Sequence, residues 1–138
     1  MPNSLFALLA FVFFAFPPQQ SAPPAATPAI KVIPLDAARR VNPITPTPES
    51  QDKAKSRYAI DCAMCHGANG DGKGDPGIIS DMSLTMMDFT NPDTLKNRTD
   101  GEIFYIIKNG QGKMPAEDRA KDDEIWNLVV YLRGFSKK

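Results

Sequence analysis

Apolar residues recur with helical spacing in three stretches of the chain, and no stretch shows a strand-like alternation of any length. In "ESQDKAKSRYAIDC" the residues Ala54, Tyr58 and Cys62 fall at successive i, i+4 positions, one stripe along a helix. "RTDGEIFYIIKNG" sets Thr99 and Glu102 in capping-box spacing ahead of Ile103, Phe104, Ile106 and Ile107, and Gly110 is the expected stop. "DDEIWNLVVYLRGF" opens on acidic residues, which the positive end of a helix favours. It then carries Ile125, Trp126, Val129, Val130 and Leu132 before Gly134. These patterns predict an all-α domain.

The front of the chain follows a different rule. Leu5 to Phe16 is an unbroken apolar run of twelve residues. A spanning helix needs roughly 17–25 apolar residues and a secretory signal about 7–15. Residues 1–16 are therefore expected to be a signal peptide or an uncleaved signal anchor, although no Lys or Arg leads the segment and no A-x-A site follows it. Nine of the thirteen prolines lie between Pro17 and Pro48. Residues 17–48 are read as a disordered or polyproline-like linker, either a stalk or a leader, and residues 49–138 as the folded domain. Lys31, Arg39 and Arg40 make the linker slightly basic, too little to imply binding to nucleic acid or lipid headgroups.

Composition changes the picture at one place. Both cysteines and the single histidine of the 138 residues fall within "CAMCH", Cys62 to His66. This is the spacing that attaches c-type haem: the two thiols add across the vinyl groups and the adjacent imidazole ligates the iron. A structural zinc site lacks its second pair of ligands. A thioredoxin-like redox pair lacks the alternating β and α segments around it. A disulfide between Cys62 and Cys65 would close a very short loop and leave His66 unexplained. The expected cofactor is one covalent haem c, in the bacterial periplasm or on the outer face of the inner membrane: haem of this type is attached to its thiols on the far side of that membrane, an oxidising compartment that export would reach. The run "NGDGKGD" places Asn69, Asp71 and Asp75 at calcium-like offsets, but Lys73 and Ser80 occupy positions that a calcium loop needs for ligands.

An electron-carrying iron gains from a second strong axial ligand, and a thioether raises its potential. Met64 lies inside the attachment loop. Met82, Met86, Met87 and Met114 remain as candidates, the first three also reading as gap-filling core.

The motifs "YAIDCAMCHG", "GDGKGDPG", "DFT", "TDGEIFYIIKNGQGKMPA" and "IWNLVVYLR" occur in the order found in class I mono-haem c-type cytochromes, which the chain resembles over about Ser50 to Phe135. The resemblance implies a compact cytochrome c-like helical domain around one covalently bound haem. It implies that the first and last helices cross, with Ala54 and Tyr58 against Trp126, Val130 or Tyr131. Met114, in "GQGKMPAE", has the family's distal-ligand context, so His66 and Met114 are the implied metal ligands. Pro76 matches the family proline whose carbonyl accepts a hydrogen bond from the ligand imidazole. Ile79, Leu84, Phe89, Ile103, Ile107 and Leu128 are expected in the haem pocket or the core.

A haem with both axial positions filled leaves no open site for a substrate. The expected function is one-electron transfer rather than catalysis, with a cytochrome c subunit of a larger membrane-associated oxidoreductase as the alternative. A di-haem peroxidase would need a second C-x-x-C-H. Expected partners are redox proteins met transiently, or a membrane complex, with an N-terminal membrane tether as an option and no nucleic acid. Between Glu49 and Lys138 there are 15 acidic and 13 basic residues, so no strong basic face steers the choice.

Overall fold

The computed structural model describes residues 30–137, and the expectations for residues 1–29 lie outside them. Six helices follow in order: α1 (Leu35–Ala38), α2 (Pro48–Asp61), α3 (Ala63–His66), α4 (Pro76–Asp81), α5 (Asp100–Asn109) and α6 (Asp122–Phe135). Among the described residues there is no strand, only an isolated bridge between Gln111 and Met114. No helix among them is long and apolar enough to cross a membrane.

Local chemistry fixes where the three longer helices start. Thr47 Oγ1 accepts from Ser50 N at 3.2 Å and Ser50 Oγ accepts from Thr47 N at 3.0 Å, with Pro48 at the first helical position of α2. The expected box on α5 is formed: Thr99 Oγ1 accepts from Glu102 N at 3.1 Å, and Glu102 Oε2 accepts from Thr99 N at 2.8 Å. Gly110, at φ +70°, ends that helix. On α6, Glu124 returns a carboxylate to Lys121 N at 2.9 Å.

Helices α2 and α6 make the main contact of the domain. Tyr58 meets Tyr131 at 5.5 Å between ring centroids, as expected, and also Phe135 at 5.1 Å. Phe135 explains why α6 runs past Gly134 instead of stopping there. Its ring is buried against Gly70, where an added Cβ would sit 2.7 Å from Phe135 Cδ2, and Gly134 itself faces open space. Ile125, Leu128 and Val129 are fully enclosed and join Ala54, Ile103, Phe104, Ile107 and Trp126 in one core. Each such aliphatic or aromatic side chain contributes about 1.5–3 kcal/mol when fully buried. Arg57 ties the two helices at their surface, 2.9 Å from Glu124 and 3.4 Å from Asp61.

The described half of the expected linker corrects the reading of 17–48 as a structureless spacer. Residues 30–47 form a strap along α5 and α6. Thr99 Oγ1 donates to Ala38 O at 2.6 Å, and Asn42 Nδ2 donates to Trp126 O at 3.1 Å. The Arg40 guanidinium lies 4.4 Å from the Phe104 ring centroid and 5.1 Å from that of Trp126. Gly101 lets the strap approach, since a Cβ there would fall 2.2 Å from Ala37 O. The folded unit therefore begins before residue 49.

Candidate functional site

Between α3, the segment 78–89, α5, the turn before Glu117 and the inner side of α6 lies a cavity of about 940 Å³. That is near the upper end of the roughly 300–1,000 Å³ typical of cofactor sites. Its walls are mostly apolar and include Leu84, Phe89, Ile103, Ile107, Leu128 and Leu132. Of the pocket residues expected, Ile79 is not in this wall; its neighbour Ile78 is.

Cys62, Cys65 and His66 enter the cavity from a single turn. Cys62 closes α2, and Cys62 O accepts from Cys65 N at 3.2 Å and from His66 N at 2.9 Å, so the three side chains issue from one short helical bend. A glycine-rich loop wraps beneath it. Gly74 is required because a Cβ would lie 2.2 Å from Met64 O, and Asp75 N donates to that same carbonyl at 2.7 Å. Gly72 N donates to His66 O at 2.9 Å. The acids with calcium-like offsets serve the backbone instead: Asp71 Oδ1 accepts from Lys73 N and Asp75 Oδ1 caps α4 at Ile78 N.

Burial favours the neutral forms of Cys62 and His66. Burial, reinforced by the Asp61 and Glu117 carboxylates, pushes the Cys62 thiol up to about 12. Burial also pushes the His66 imidazole below its ordinary value, so its neutral form is favoured, the form that can ligate a metal. The imidazole stacks on Phe89, 4.9 Å between centroids and 24° between planes. Tyr58 Oη donates to Gly67 O at 2.8 Å, linking the turn to the α2–α6 core.

His66 Nδ1 is buried and has no hydrogen-bond partner among the described residues. The expected bond to the Pro76 carbonyl is thus not made, and Pro76 is exposed and outside the cavity wall. The reason is that Asp75 caps α4 at Pro76, which turns the Pro76 carbonyl along the α4 axis in the ordinary helical manner.

Met114 lines the cavity from a different element, the turn 111–114. Gly110 makes room for it, since a Cβ there would fall 2.5 Å from Met114 O. Met64, Met82, Met86 and Met87 line the cavity as well. Met82 and Met87 are 43% and 51% exposed, so they rim the opening and do not fill the core. Gln111 also lines the cavity, a residue that hydropathy gave no reason to single out.

The donor set fits a haem c. Two thiols and one neutral imidazole share one turn, a thioether comes from a second element, and apolar walls enclose the space. Among the described residues, two buried polar side-chain atoms at the cavity have no hydrogen-bond partner, His66 Nδ1 and Gln111 Oε1.

Comparison with known proteins leads to the same place. Residues 49–132 match the family described as cytochrome C oxidase, cbb3-type, subunit III. Among solved structures, the chain is similar to the reducing HAO-like protein complex of Kuenenia stuttgartiensis, at 25% identity and a TM-score of 0.57 over 67% of this chain. It spans 46% of that protein's chain, less than half its length. No curated protein matches the chain. A helical domain with its C-x-x-C-H turn in an apolar cavity, matched over residues 49–132, belongs to the cbb3-type cytochrome c oxidase subunit III family of c-type cytochromes, whose cofactor is haem c and whose role is electron transfer.

Proposed function

We propose that the chain carries one haem c, joined covalently through Cys62 and Cys65 with His66 and Met114 as axial ligands, and that it passes single electrons. The observation that supports this most is that these four side chains, from two separate elements, line one apolar cavity. Haem c supplies a one-electron iron couple when bound there. His66 presents a neutral nitrogen, and its stacking on Phe89 restrains the ring. Met114 offers a thioether that favours the ferrous state. Phe89, Ile103, Ile107 and Leu128 keep water from the space between them.

Visible and near-infrared spectra during a redox titration test this reading. The oxidised protein is expected to show the weak sulfur-to-iron charge-transfer band. Met114→Ala removes the band, lowers the potential and admits carbon monoxide or cyanide, while covalent attachment persists. If one of Met82→Ala, Met86→Ala or Met87→Ala abolishes the band instead, the ligand is a different methionine.

A second reading, a subunit of a larger oxidoreductase, draws on the matched family and on the similar protein, which is part of a complex. Isolation in mild detergent separates the two readings: co-purification at fixed stoichiometry supports the subunit, and a free haem protein supports the carrier. We also propose export to the periplasm or to the outer face of the inner membrane, from the twelve-residue apolar run Leu5–Phe16. A reporter active only outside the cytoplasm, fused after residue 48, is expected to be active; a reporter that is made but silent sinks the export reading.

A further inference from the structure

The turn that carries Met114 is supported from outside at both shoulders. Gln111 N donates to Met114 O at 3.0 Å and Met114 N donates to Gln111 O at 2.9 Å, so Gln111 is the base on which Met114 stands. Gly112, at φ +57°, makes the reversal between them. On one shoulder Gln111 Nε2 leaves the turn and donates to Lys31 O at 3.1 Å. Lys31 in turn gives its ammonium to Asn109 O, at the end of α5. On the other shoulder Lys113 Nζ donates to Met82 O at 2.5 Å and to Ser83 O at 3.3 Å, reaching across to the exposed Met82 that rims the cavity.

Packing alone does not account for Gln111. Its Oε1 is buried with no partner, a cost that an apolar side chain of the same size would avoid in a wall whose surface is mostly apolar. What the carboxamide adds is its donor, and that donor is spent on the strap.

We propose that Gln111 is a positioning residue for Met114, and that the strap, through Lys31, sets how firmly Met114 is presented to the cavity. The inference rests on the reading of His66 and Met114 as the ligands of haem c. Its consequence is specific to this chain: the strap is joined by one hydrogen bond to the turn that bears Met114 and by a second to the end of α5, so the turn is braced on α5 through Lys31.

The test uses the full chain with haem attached and measures cyanide association with the ferric protein, which requires Met114 to leave the iron. Gln111→Leu keeps the volume and removes the donor; it is expected to speed association roughly fivefold, the factor that one hydrogen bond of ordinary net strength represents. Lys31→Ala is expected to speed it less, and the double variant no more than Gln111→Leu alone, because the two contacts act in series. Asn42→Ala, which frees the strap from Trp126 O without touching the turn, is expected to leave the rate unchanged. Should Gln111→Leu fail to fold, Gln111→Glu removes the same donor at nearly constant shape. Unchanged or slower association in these Gln111 variants, with the sulfur–iron band present in the wild type, overturns the proposal alone. A wild type without that band overturns the ligand assignment beneath it as well.

Discussion

The α2–α6 side of the domain and the cavity side are built on opposite principles. On the first, the chain fills its own interior: Ile125 and Val129 are wholly removed from water, and three aromatic rings interlock where α2 passes α6. On the second, apolar side chains from α5, α6 and the segment 78–89 face a space of about 940 Å³. The backbone there is held by single contacts, such as Asp75 N to Met64 O and Phe89 N to Gly70 O, and Ser83 sits at φ +48°. One side is stable because of what the chain packs, whereas the other is shaped for something the chain does not itself provide. The stability of residues 62–116 should therefore depend on the cofactor far more than that of α2 and α6.

Three experiments probe that division, in descending order of effect. Replacing both Cys62 and Cys65 by serine should abolish haem that survives acid–acetone extraction, an all-or-none loss. Hydrogen exchange on the same variant should show protection falling across 62–116 while α2 and α6 retain much of theirs. Equal loss on both sides would erase the distinction between them. Next, Phe135→Ala should cost about 3–5 kcal/mol in chemical denaturation, with or without haem, because it empties the centre of the packed side. A cost seen only in the haem-bound protein would mean that the rings at Tyr58, Tyr131 and Phe135 depend on the cavity.

The smallest effect concerns protons. In the haem-free chain the folded His66 has its pKa lowered by burial, so the unfolded chain binds more protons near and below the ordinary histidine value. The contribution of neutral His66 is thus present above about pH 6.5 and lost as pH falls below it, by no more than about 1.4 kcal/mol per pH unit. Urea midpoints from pH 7.5 to 5 should show this slope in the apo protein. The slope should be absent in the haem-bound protein, where ligation is expected to hold the imidazole neutral. An equal slope in both would argue that His66 is not a ligand.

What could be read ahead of the structure follows the same boundary. Helices α2, α5 and α6 were legible because each carries a full apolar stripe or a capping pair, and the C-x-x-C-H turn because its residue types occur nowhere else in the chain. Helix α1 has only four residues, too few to show a period, and the strap around it is held by carbonyl oxygens and by Arg40 over two rings, none of which hydropathy records. The packing of Phe135 on Gly70 was not legible, because the two residues lie far apart in sequence. At Pro76 the sequence "DPG" reads equally as a turn and as a capped helix start, and the structure chooses the helix. Gln111 gave no signal, since a lone amide in a glycine-flanked loop is ordinary loop chemistry until its partners are known.

The contact between α2 and α6 also governs how the domain comes to exist. Gln51 Nε2 meets Asn127 Oδ1 at 3.1 Å, across a separation of 76 residues. Closing so long a loop carries an entropic cost that local helix formation does not. A chain made from its N-terminus presents Cys62 to His66 well before α6 has been synthesised. During that interval the thiols stand on a stretch of polypeptide that has not yet closed around them, and the attachment proposed above would meet them before the last helix packs against α2.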